Sequence, residues 1–408
     1  MEQIYLVYIG TTKVVGIRGV LDKSESVLME TLVKVPSLGF DKGIVVDVEK
    51  ACAQVKEVVS KIAKEDMLHK IPLCVILSNN LVKTFDCTSS IYFGDSAKMV
   101  TQLDIDRVID QTRGTATIPL EEFIIMAKPQ GFTINDLEGV KNPLDLEARR
   151  LAVNLVLYTV NTDVLRNLNK VFDRLEINVS AYYPRIVTSA FSVLRDEEKR
   201  DGVVLIDIGG YTTSISYYIN NTLDFYEVIP MGGETITNYL SNNLHISVLE
   251  ARRLKEQYGS AVLLERFEDE IIPVVDIFGK TKLNINKKRL YDQIHIAAKE
   301  LVDKIYVLLR SKRQQNRQIC GAVVTGGGAN LDGFLDLIQK TLNISVRLGI
   351  TRNVSGHADA VSNSGYAAQL GLLEYLLSER NEKQLHYVGK NVLTKKILQV
   401  REWIQENF

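Results

Sequence analysis

The feature that most constrains this chain is residues 202–216, where an apolar run ends at two glycines and is followed by alternating apolar and polar residues. The run before Asp207 predicts a buried strand, Gly209 and Gly210 a tight turn, and the residues from Thr212 onward a second strand. Glycines at such a turn let backbone N–H groups approach a phosphate, and an acidic residue at the strand end can hold a metal ion or its water shell. The stretch predicts a nucleotide phosphate site with a divalent cation, although Asp-x-Gly-Gly also occurs in ordinary hairpin turns.

A second strand, glycine turn and strand is predicted near the N-terminus, over residues 4–20. Its turn is Gly10-Thr11-Thr12-Lys13. Two such units about 200 residues apart indicate a duplicated α/β architecture in which each half contributes one hairpin to a cleft. The units differ at one position, because Tyr8 stands where the second hairpin has an acid.

Other segments carry glycines or cations that suit a nucleotide. Gly232 and Gly233 open a predicted helix, whose first N–H groups are expected to be unpaired and to form an anion site. The turn after the strand near residue 322 suits close approach of a base or ribose, and its residues are Gly326, Gly327, Gly328 and Ala329. The predicted helix over residues 247–258 carries Arg252 and Lys255, although a charged helix face is more often simply solvated.

Hydrophobic periodicity and caps predict the remaining main elements. Amphipathic or capped helices are expected over residues 47–65, 104–113, 162–175, 189–199 and 286–313, and a buried strand over residues 72–78. Thr162 or Asp163 is the expected N-cap of the third of these helices. Residues 85–165, rich in proline and glycine punctuation, read as a small inserted module.

The C-terminal tail has its own pattern. Residues 378–391 are polar and read as a linker, and residues 392–408 predict a helix with one apolar stripe. The stripe and its edge consist of Leu393, Ile397, Val400, Trp403, Ile404 and Phe408. Such a helix fits an in-plane membrane anchor, and the alternative is a helix docked on the body of the same protein.

Composition excludes several classes of protein. The 408 residues are 46% hydrophobic, with a net charge of -1, so no basic surplus predicts nucleic-acid binding. The four cysteines are scattered without a Cys-x-x-Cys pair, which argues against a zinc site or a disulfide framework. Neither a signal peptide nor a run of about 18 apolar residues is found, so a cytoplasmic protein is expected.

Taken in order, the motifs resemble the actin/hexokinase/heat-shock ATPase superfamily and, within it, the FtsA family of actin-like bacterial cell-division proteins. The segments that carry the resemblance are Ile9-Gly10-Thr11-Thr12-Lys13-Val14, Gly39-Phe40-Asp41-Lys42-Gly43, Gly139-Val140-Lys141-Asn142-Pro143-Leu144, Asp207-Ile208-Gly209-Gly210, Ile229-Pro230-Met231-Gly232-Gly233, Leu254-Lys255, Tyr258-Gly259, Thr325-Gly326-Gly327-Gly328-Ala329 and the terminal helix.

The resemblance implies an α/β, actin-like two-lobed ATPase fold with an inserted α+β subdomain (1C) and a C-terminal amphipathic helix. The implied divisions are subdomain 1A at 1–85 and 166–200, 1C at 86–165, 2A at 201–245 and 320–377, 2B at 246–319, the linker at 378–391 and the membrane-targeting helix at 392–408.

The family also implies ATP with magnesium as ligands. The implied contacts to the nucleotide come from Gly10, Thr11, Thr12, Lys13, Gly209, Gly210, Tyr211, Thr212, Gly232, Gly233, Arg252, Lys255, Gly326, Gly327, Gly328 and Ala329. Asp207 would be the catalytic residue and would hold the metal through water.

The implied partners are the C-terminal tail of FtsZ on 2B, other division proteins on 1C, further copies of the chain in filaments, and an anionic membrane surface at the division site. Lys287, Lys288 and Arg289 are candidate contacts for an acidic FtsZ tail, although a charged helix start is also commonly solvated.

Three departures from the family pattern affect these expectations. Tyr8 replaces the aspartate of the first phosphate hairpin, and Arg252 replaces a glutamate expected to accept a hydrogen bond from ribose. Ile294-His295-Ile296-Ala297 replaces an acidic, proline and arginine run on 2B. We therefore expect ATP hydrolysis to be weak or absent. A sugar-kinase-like phosphotransferase and a PilM-like adaptor of a pilus or secretion apparatus are the alternatives.

Overall fold

The computed structural model describes residues 2–21, 27–63, 71–262, 270–275, 282–313 and 318–386. The N-terminal segment contains six strands and one helix: β1 (Glu2–Ile9), β2 (Lys13–Leu21), β3 (Val27–Pro36), β4 (Phe40–Asp41), β5 (Ile44–Val45), α1 (Val48–Ile62) and β6 (Leu73–Leu77). Helix α1 begins where Asp47 caps it by accepting the N–H of Lys50, and its apolar face is fully buried.

The inserted module follows directly. Its elements are β7 (Val82–Tyr92), β8 (Lys98–Met99), α2 (Gln102–Thr115), β9 (Glu122–Ile134), β10 (Leu137–Val140), β11 (Glu147–Ala148) and β12 (Arg150–Asn161). Four of these strands form an antiparallel sheet in the order β10-β9-β12-β7, whose apolar side chains share one hydrophobic core with those of α2. The module's sheet therefore starts and ends a few residues earlier than the 86–165 boundaries expected from the sequence.

The chain then completes the first lobe and builds the second. The connecting elements are α3 (Thr162–Arg174), β13 (Val179–Pro184), α4 (Arg185–Val193) and α5 (Asp196–Asp201). The second lobe consists of β14 (Val203–Ile208), β15 (Thr213–Ile219), β16 (Thr222–Ile229), α6 (Gly233–Leu244), α7 (Val248–Tyr258), β17 (Ile271–Val275), β18 (Lys282–Asn286), α8 (Lys287–Arg313), β19 (Gly321–Thr325), α9 (Phe334–Leu342) and β20 (Ser345–Leu348). The last elements are β21 (Val354–Ser355), α10 (Ala358–Val361) and α11 (Ala367–His386).

The two large sheets share one plan. The first has the order β13-β6-β1-β2-β3-β21 and the second β16-β15-β14-β19-β20. In each, an antiparallel hairpin (β1 with β2, β14 with β15) is flanked by a parallel strand (β6, β19) on one side and an antiparallel strand (β3, β16) on the other. The duplicated α/β architecture expected from the two glycine hairpins is thus confirmed.

Three predicted element boundaries are wrong. The helix predicted over residues 189–199 is two helices, because Leu194 and Arg195 are extended; Leu194 is buried there, and the Arg195 N–H is accepted by Glu198. The N-cap of α3 is Asn161, which accepts from the backbone of Asp163 and Val164, and not Thr162 or Asp163.

The third wrong boundary is that of the linker predicted over residues 378–391. Helix α11 continues through residues 378–386, a polar stretch without glycine or proline that favours helix by its Glu, Lys, Gln and Leu content. The predicted terminal helix at 392–408 lies outside the described residues. Among those that are described, no helix is both long and apolar enough to span a bilayer.

Candidate functional site

The two glycine turns meet in the cleft between the lobes. The Gly10 N–H donates to the carbonyl of Lys13 at 3.0 Å, and the Gly209 N–H donates to the carbonyl of Thr212 at 2.8 Å. A Cβ placed on Gly210 would lie 2.7 Å from the methyl group of Thr12. Because the Thr12 side chain would have to shift to make room for such a Cβ, glycine suits the point where the turns touch. The structure therefore brings together both predicted phosphate hairpins.

The start of α6 supports the second hairpin. The N–H of Gly233 donates to the Gly209 carbonyl at 2.9 Å, and that of Glu234 donates to the Gly210 carbonyl at 2.7 Å. The N–H of Gly232 donates to the hydroxyl of Thr235 at 3.1 Å. The expectation of unpaired N–H groups at this helix start is therefore wrong, because the neighbouring turn already accepts from them.

The triple-glycine turn packs against the end of β14. Residues Gly327–Asn330 form a short 3-10 helix, and α9 starts after it, at Phe334. A Cβ on Gly328 would lie 2.3 Å from the Ile208 side chain, and one on Gly326 would lie 2.5 Å from Oδ1 of Asp207. The triple-glycine turn therefore lines the cleft beside the second hairpin, in addition to the two hairpins themselves.

Two cations of α7 approach this side of the cleft. The ammonium group of Lys255 donates to the Gly233 carbonyl at 2.9 Å and to the Thr237 hydroxyl at 2.7 Å, and burial lowers its pKa. Arg252 donates to both carboxylate oxygens of Glu234, at 3.2 and 2.8 Å. The hydrogen bond to Glu234 raises the pKa of Arg252. Helix α7 is therefore bound to the start of α6 through Lys255 and Arg252, so these two charged side chains are not simply solvated.

Lys13 is the cation of the first hairpin. Its Nζ lies 4.3 Å from the centre of the Tyr366 ring. Burial, and then the positive charges of Lys34 and Arg185, lower its pKa to about 7. A partly desolvated amine of this kind gains a counter-charge when an anion binds nearby, so Lys13 is suited to a phosphate group.

Asp207 is held by a buried arginine that the sequence analysis did not single out. Arg185 Nε donates to Oδ2 of Asp207 at 2.6 Å, and Nη2 donates to Oδ1 at 2.7 Å. The third nitrogen of the same guanidinium, Nη1, donates to the hydroxyl of Tyr8 at 2.7 Å. Both Arg185 and Asp207 are nearly inaccessible to solvent. Burial lowers the pKa of Arg185, but the charge of Asp207, together with the contacts to Asp207 and Tyr8, outweighs burial and raises that pKa.

An amide completes this network. Asn79 Nδ2 donates to the Ser214 hydroxyl at 2.7 Å and lies 3.3 Å from Oδ2 of Asp207. Asn79 and Arg185 belong to the first lobe, whereas Asp207 and Ser214 belong to the second. The network therefore joins the lobes at the bottom of the cleft.

Comparison with known proteins finds similarity to one family. The family description "Cell division protein FtsA" matches residues 204–371, and "SHS2 domain inserted in FTSA" matches residues 80–159. Cell division protein FtsA of Pseudomonas aeruginosa is 26% identical over 406 residues, covering 98% of this chain and 97% of the relative. Cell division protein FtsA of Escherichia coli strain K12 is 28% identical over 409 residues, covering 97% and 94%. The chain is therefore similar to FtsA cell-division proteins over nearly its whole length.

Solved structures agree with the actin-like fold. The PilM-PilN type IV pilus biogenesis complex matches with a TM-score of 0.64 at 14% identity, covering 92% of this chain and 98% of the other. MreB5 of Spiroplasma citri bound to ADP matches with a TM-score of 0.52 at 14% identity, covering 95% and 99%. At these identities the likeness establishes the fold alone. The match to the inserted-domain description coincides closely with strands β7 to β12 of this chain.

A divalent metal does not fit beside Asp207. Magnesium binds oxygen ligands and retains waters, so a magnesium site that uses Asp207, directly or through water, needs carboxylate oxygens that are free to face it. Here both oxygens of Asp207 are taken by one guanidinium, and the neighbouring group is the neutral phenol of Tyr8. Within the described residues, no cluster of three or more His, Cys, Asp or Glu side chains could hold a metal ion. The predicted metal role of Asp207 is therefore not supported by its surroundings.

The residues that sequence reasoning missed are Arg185, Asn79 and Glu234. Arg185 had a detectable signal, because it is a single charged residue between the apolar residues Tyr183-Pro184 and Ile186-Val187. Its partner could not be read from this pattern, because Tyr8 is 177 positions away.

The partner surface predicted on 2B, Lys287, Lys288 and Arg289, is only partly exposed to solvent. Lys287 pairs with Glu270 at 2.7 Å, while Lys288 and Arg289 are exposed at the start of α8. In the unusual run 294–297, Ile294 and Ala297 are buried in the core, and the His295 ring contacts the Ala261 carbonyl at 2.7 Å. Ile296 alone is largely exposed. The predicted membrane-facing residues from Leu393 to Phe408 lie outside the described residues.

Proposed function

We propose that this FtsA-like protein binds an adenine nucleotide between its lobes, self-assembles into filaments, and tethers FtsZ filaments to the inner face of the cytoplasmic membrane. The nucleotide part rests on one observation, the meeting of two glycine hairpins beside the half-buried amine of Lys13. The fold relative MreB5, whose structure is described as bound to ADP, supports it. The remaining parts rest on similarity to the FtsA family.

Nucleotide binding is tested by calorimetric titration of the purified chain with ADP and ATP. Saturable binding at one site per chain is expected. Because binding alone does not distinguish this cleft from another site, Gly210→Val serves as a variant that blocks the meeting of the hairpins. A chain that binds neither nucleotide would overturn this part of the proposal.

Hydrolysis is proposed to be weak or absent. Asp207 is held by Arg185, so its carboxylate is not free to orient an attacking water. Phosphate release should remain far below the roughly 1 per second at which efficient enzymes begin. Turnover near that rate, abolished by Asp207→Asn, would show that the carboxylate is catalytic.

Membrane tethering is proposed through residues 392–408, on their sequence pattern alone. Full-length protein should sediment with vesicles that contain anionic lipid. Val400→Glu places a charge on the apolar stripe and should abolish sedimentation, whereas Gln399→Glu makes the same charge change beside it and should retain most of it. Equal behaviour of the two variants would contradict insertion of this stripe.

FtsZ binding is proposed at the exposed start of α8. The double variant Lys288→Glu/Arg289→Glu should weaken binding to purified FtsZ, whereas Lys304→Glu, further along the same helix, should not. The fold similarity to PilM favours a second candidate, an adaptor of a pilus apparatus. Co-purification with pilus-assembly components and not with FtsZ would favour that alternative.

A further inference from the structure

The most unusual feature of the cleft is a permanent cation at its base. The Arg185 guanidinium contacts Asp207 through two nitrogens and Tyr8 through the third, with donor to acceptor distances of 2.6 to 2.7 Å. Arg185 belongs to the first lobe and Asp207 to the second. The only charged groups in this contact are one guanidinium and one carboxylate, so the pair is neutral as a whole.

Tyr8 occupies space as well as accepting a hydrogen bond. The centre of its ring lies 5.0 Å from Cζ of Arg185, and its edge lies 2.7 Å from the position of a Cβ on Gly10. The ring therefore lies against the inner side of the first hairpin, next to the guanidinium. Cation and aromatic face attract each other in this arrangement.

We propose that the Arg185 guanidinium takes the place of a divalent cation in this cleft, so that the site binds adenine nucleotide without a metal. The inference rests on the proposed nucleotide binding. A divalent cation near Asp207 would gain little attraction there, because Arg185 already compensates the carboxylate charge and both carboxylate oxygens accept from its guanidinium. Arginine is also suited to this role because it stays protonated when buried and matches a carboxylate with two parallel hydrogen bonds.

The phosphates would then be neutralised by the protein itself. Lys13 on the first hairpin is half-buried and lies within electrostatic range of Arg185, whose positive charge contributes to lowering its pKa. A phosphate group between the hairpins would relieve the repulsion between these two cations. The ligand class is therefore a metal-free nucleoside diphosphate or triphosphate.

The test has a metal arm and a nucleotide arm. In the first, the protein is titrated with Mn²⁺ alone, and bound Mn²⁺ is measured by electron paramagnetic resonance. Wild type and Asp207→Asn should give the same result, because Asp207 is expected to bind no Mn²⁺. In the second, ADP affinity is measured in magnesium and in EDTA, and the two values should agree within about twofold. Affinity at least about tenfold higher with magnesium would overturn the proposal.

A gain-of-function variant makes the test sharper. Tyr8→Asp/Arg185→Ser removes the guanidinium and places two carboxylates in the cleft, so it should bind Mn²⁺ and make ADP binding magnesium-dependent. Arg185→Lys retains a cation and should stay metal-independent. Failure of a well-folded double variant to bind Mn²⁺ would contradict the role assigned to Arg185; if that variant does not fold, the wild-type and Arg185→Lys measurements decide.

The two arms separate the inference from the function on which it rests. If wild type binds no ADP in either buffer, nucleotide binding is disproved and the metal-free nucleotide site with it. The Mn²⁺ titrations then still report whether Arg185 excludes a metal from Asp207. If ADP binds but requires magnesium, nucleotide binding stands and the present inference fails.

Discussion

The two glycine hairpins have the same backbone plan and different chemistry. In each, the first turn glycine donates to the carbonyl three residues later, at 3.0 Å for Gly10 and 2.8 Å for Gly209. The residue two positions before the first turn glycine differs: it is a phenol, Tyr8, in the first lobe and a carboxylate, Asp207, in the second. One guanidinium binds both. A duplicated fold can thus retain the backbone of its turns while the charged residues beside them become different in the two halves.

The largest expected effect comes from removing the group that the hairpins share. Arg185→Met would leave the Asp207 carboxylate buried without its partner, and loss of one member of a buried pair costs about 3–5 kcal/mol. Chemical denaturation should show this loss of unfolding free energy. Arg185→Met/Asp207→Leu removes both charges and should be more stable than the single variant; equal stability would mean that the pair does not balance a buried charge.

The cation of the first hairpin should matter more for binding than for stability. Lys13→Met removes a charged hydrogen-bond donor worth about 1.5–3 kcal/mol to a phosphate, which corresponds to roughly 10- to 100-fold in ADP affinity. Lys34→Met removes an exposed neighbouring charge and should change affinity only slightly. Titration calorimetry on both variants provides the comparison, and equal losses would argue for long-range electrostatics over direct contact.

The glycines at the contact between the hairpins should tolerate no side chain. Gly210→Ala would place a methyl group 2.7 Å from Thr12, and overpacking of this kind costs about 1–3 kcal/mol. Gly327→Ala is the matched control, because a Cβ there meets no atom within 4 Å. Unfolding by denaturant should separate the two variants; equal stabilities would show that the hairpins can move apart without cost.

A pH dependence of stability is expected to belong to the first hairpin alone. The pKa of Lys13 is lowered from 10.5 to about 7 in the folded protein. Between these values the unfolded chain binds the extra proton, so this residue's contribution to stability rises as pH increases from about 7 to 10.5.

Nucleotide binding should depend on pH in the opposite direction. A bound phosphate favours charged Lys13, so ADP affinity should fall above pH 7, by at most about tenfold per pH unit. Calorimetry at pH 8 in buffers of different ionisation enthalpy should detect proton uptake on binding. Uptake that persists in Lys13→Met would assign the proton to another group.

Much of the architecture could be predicted because its signals are local. The apolar run before Asp207, the paired glycines and the amphipathic face of α1 each report the conformation of their own segment. The same local signals gave a wrong prediction of one helix over residues 189–199. The structure has two helices there, because Leu194 between them is buried in an extended conformation. They also predicted unpaired N–H groups at Gly232 and Gly233, but both groups have acceptors in the structure, and that of Gly233 lies in another segment.

The sequence by itself determined that the chain has two strand-turn-strand units, that the first lacks an acidic residue, and that both belong to an actin-like plan. Only the tertiary structure decided what replaces that acid. Arg185 meets Asp207 and Tyr8 because β13, β14 and β1 end at the same cleft, and Tyr8 and Arg185 are 177 positions apart. Periodicity reports that a residue is buried but not which charge lies opposite it, because that choice depends on how distant strand ends pack together.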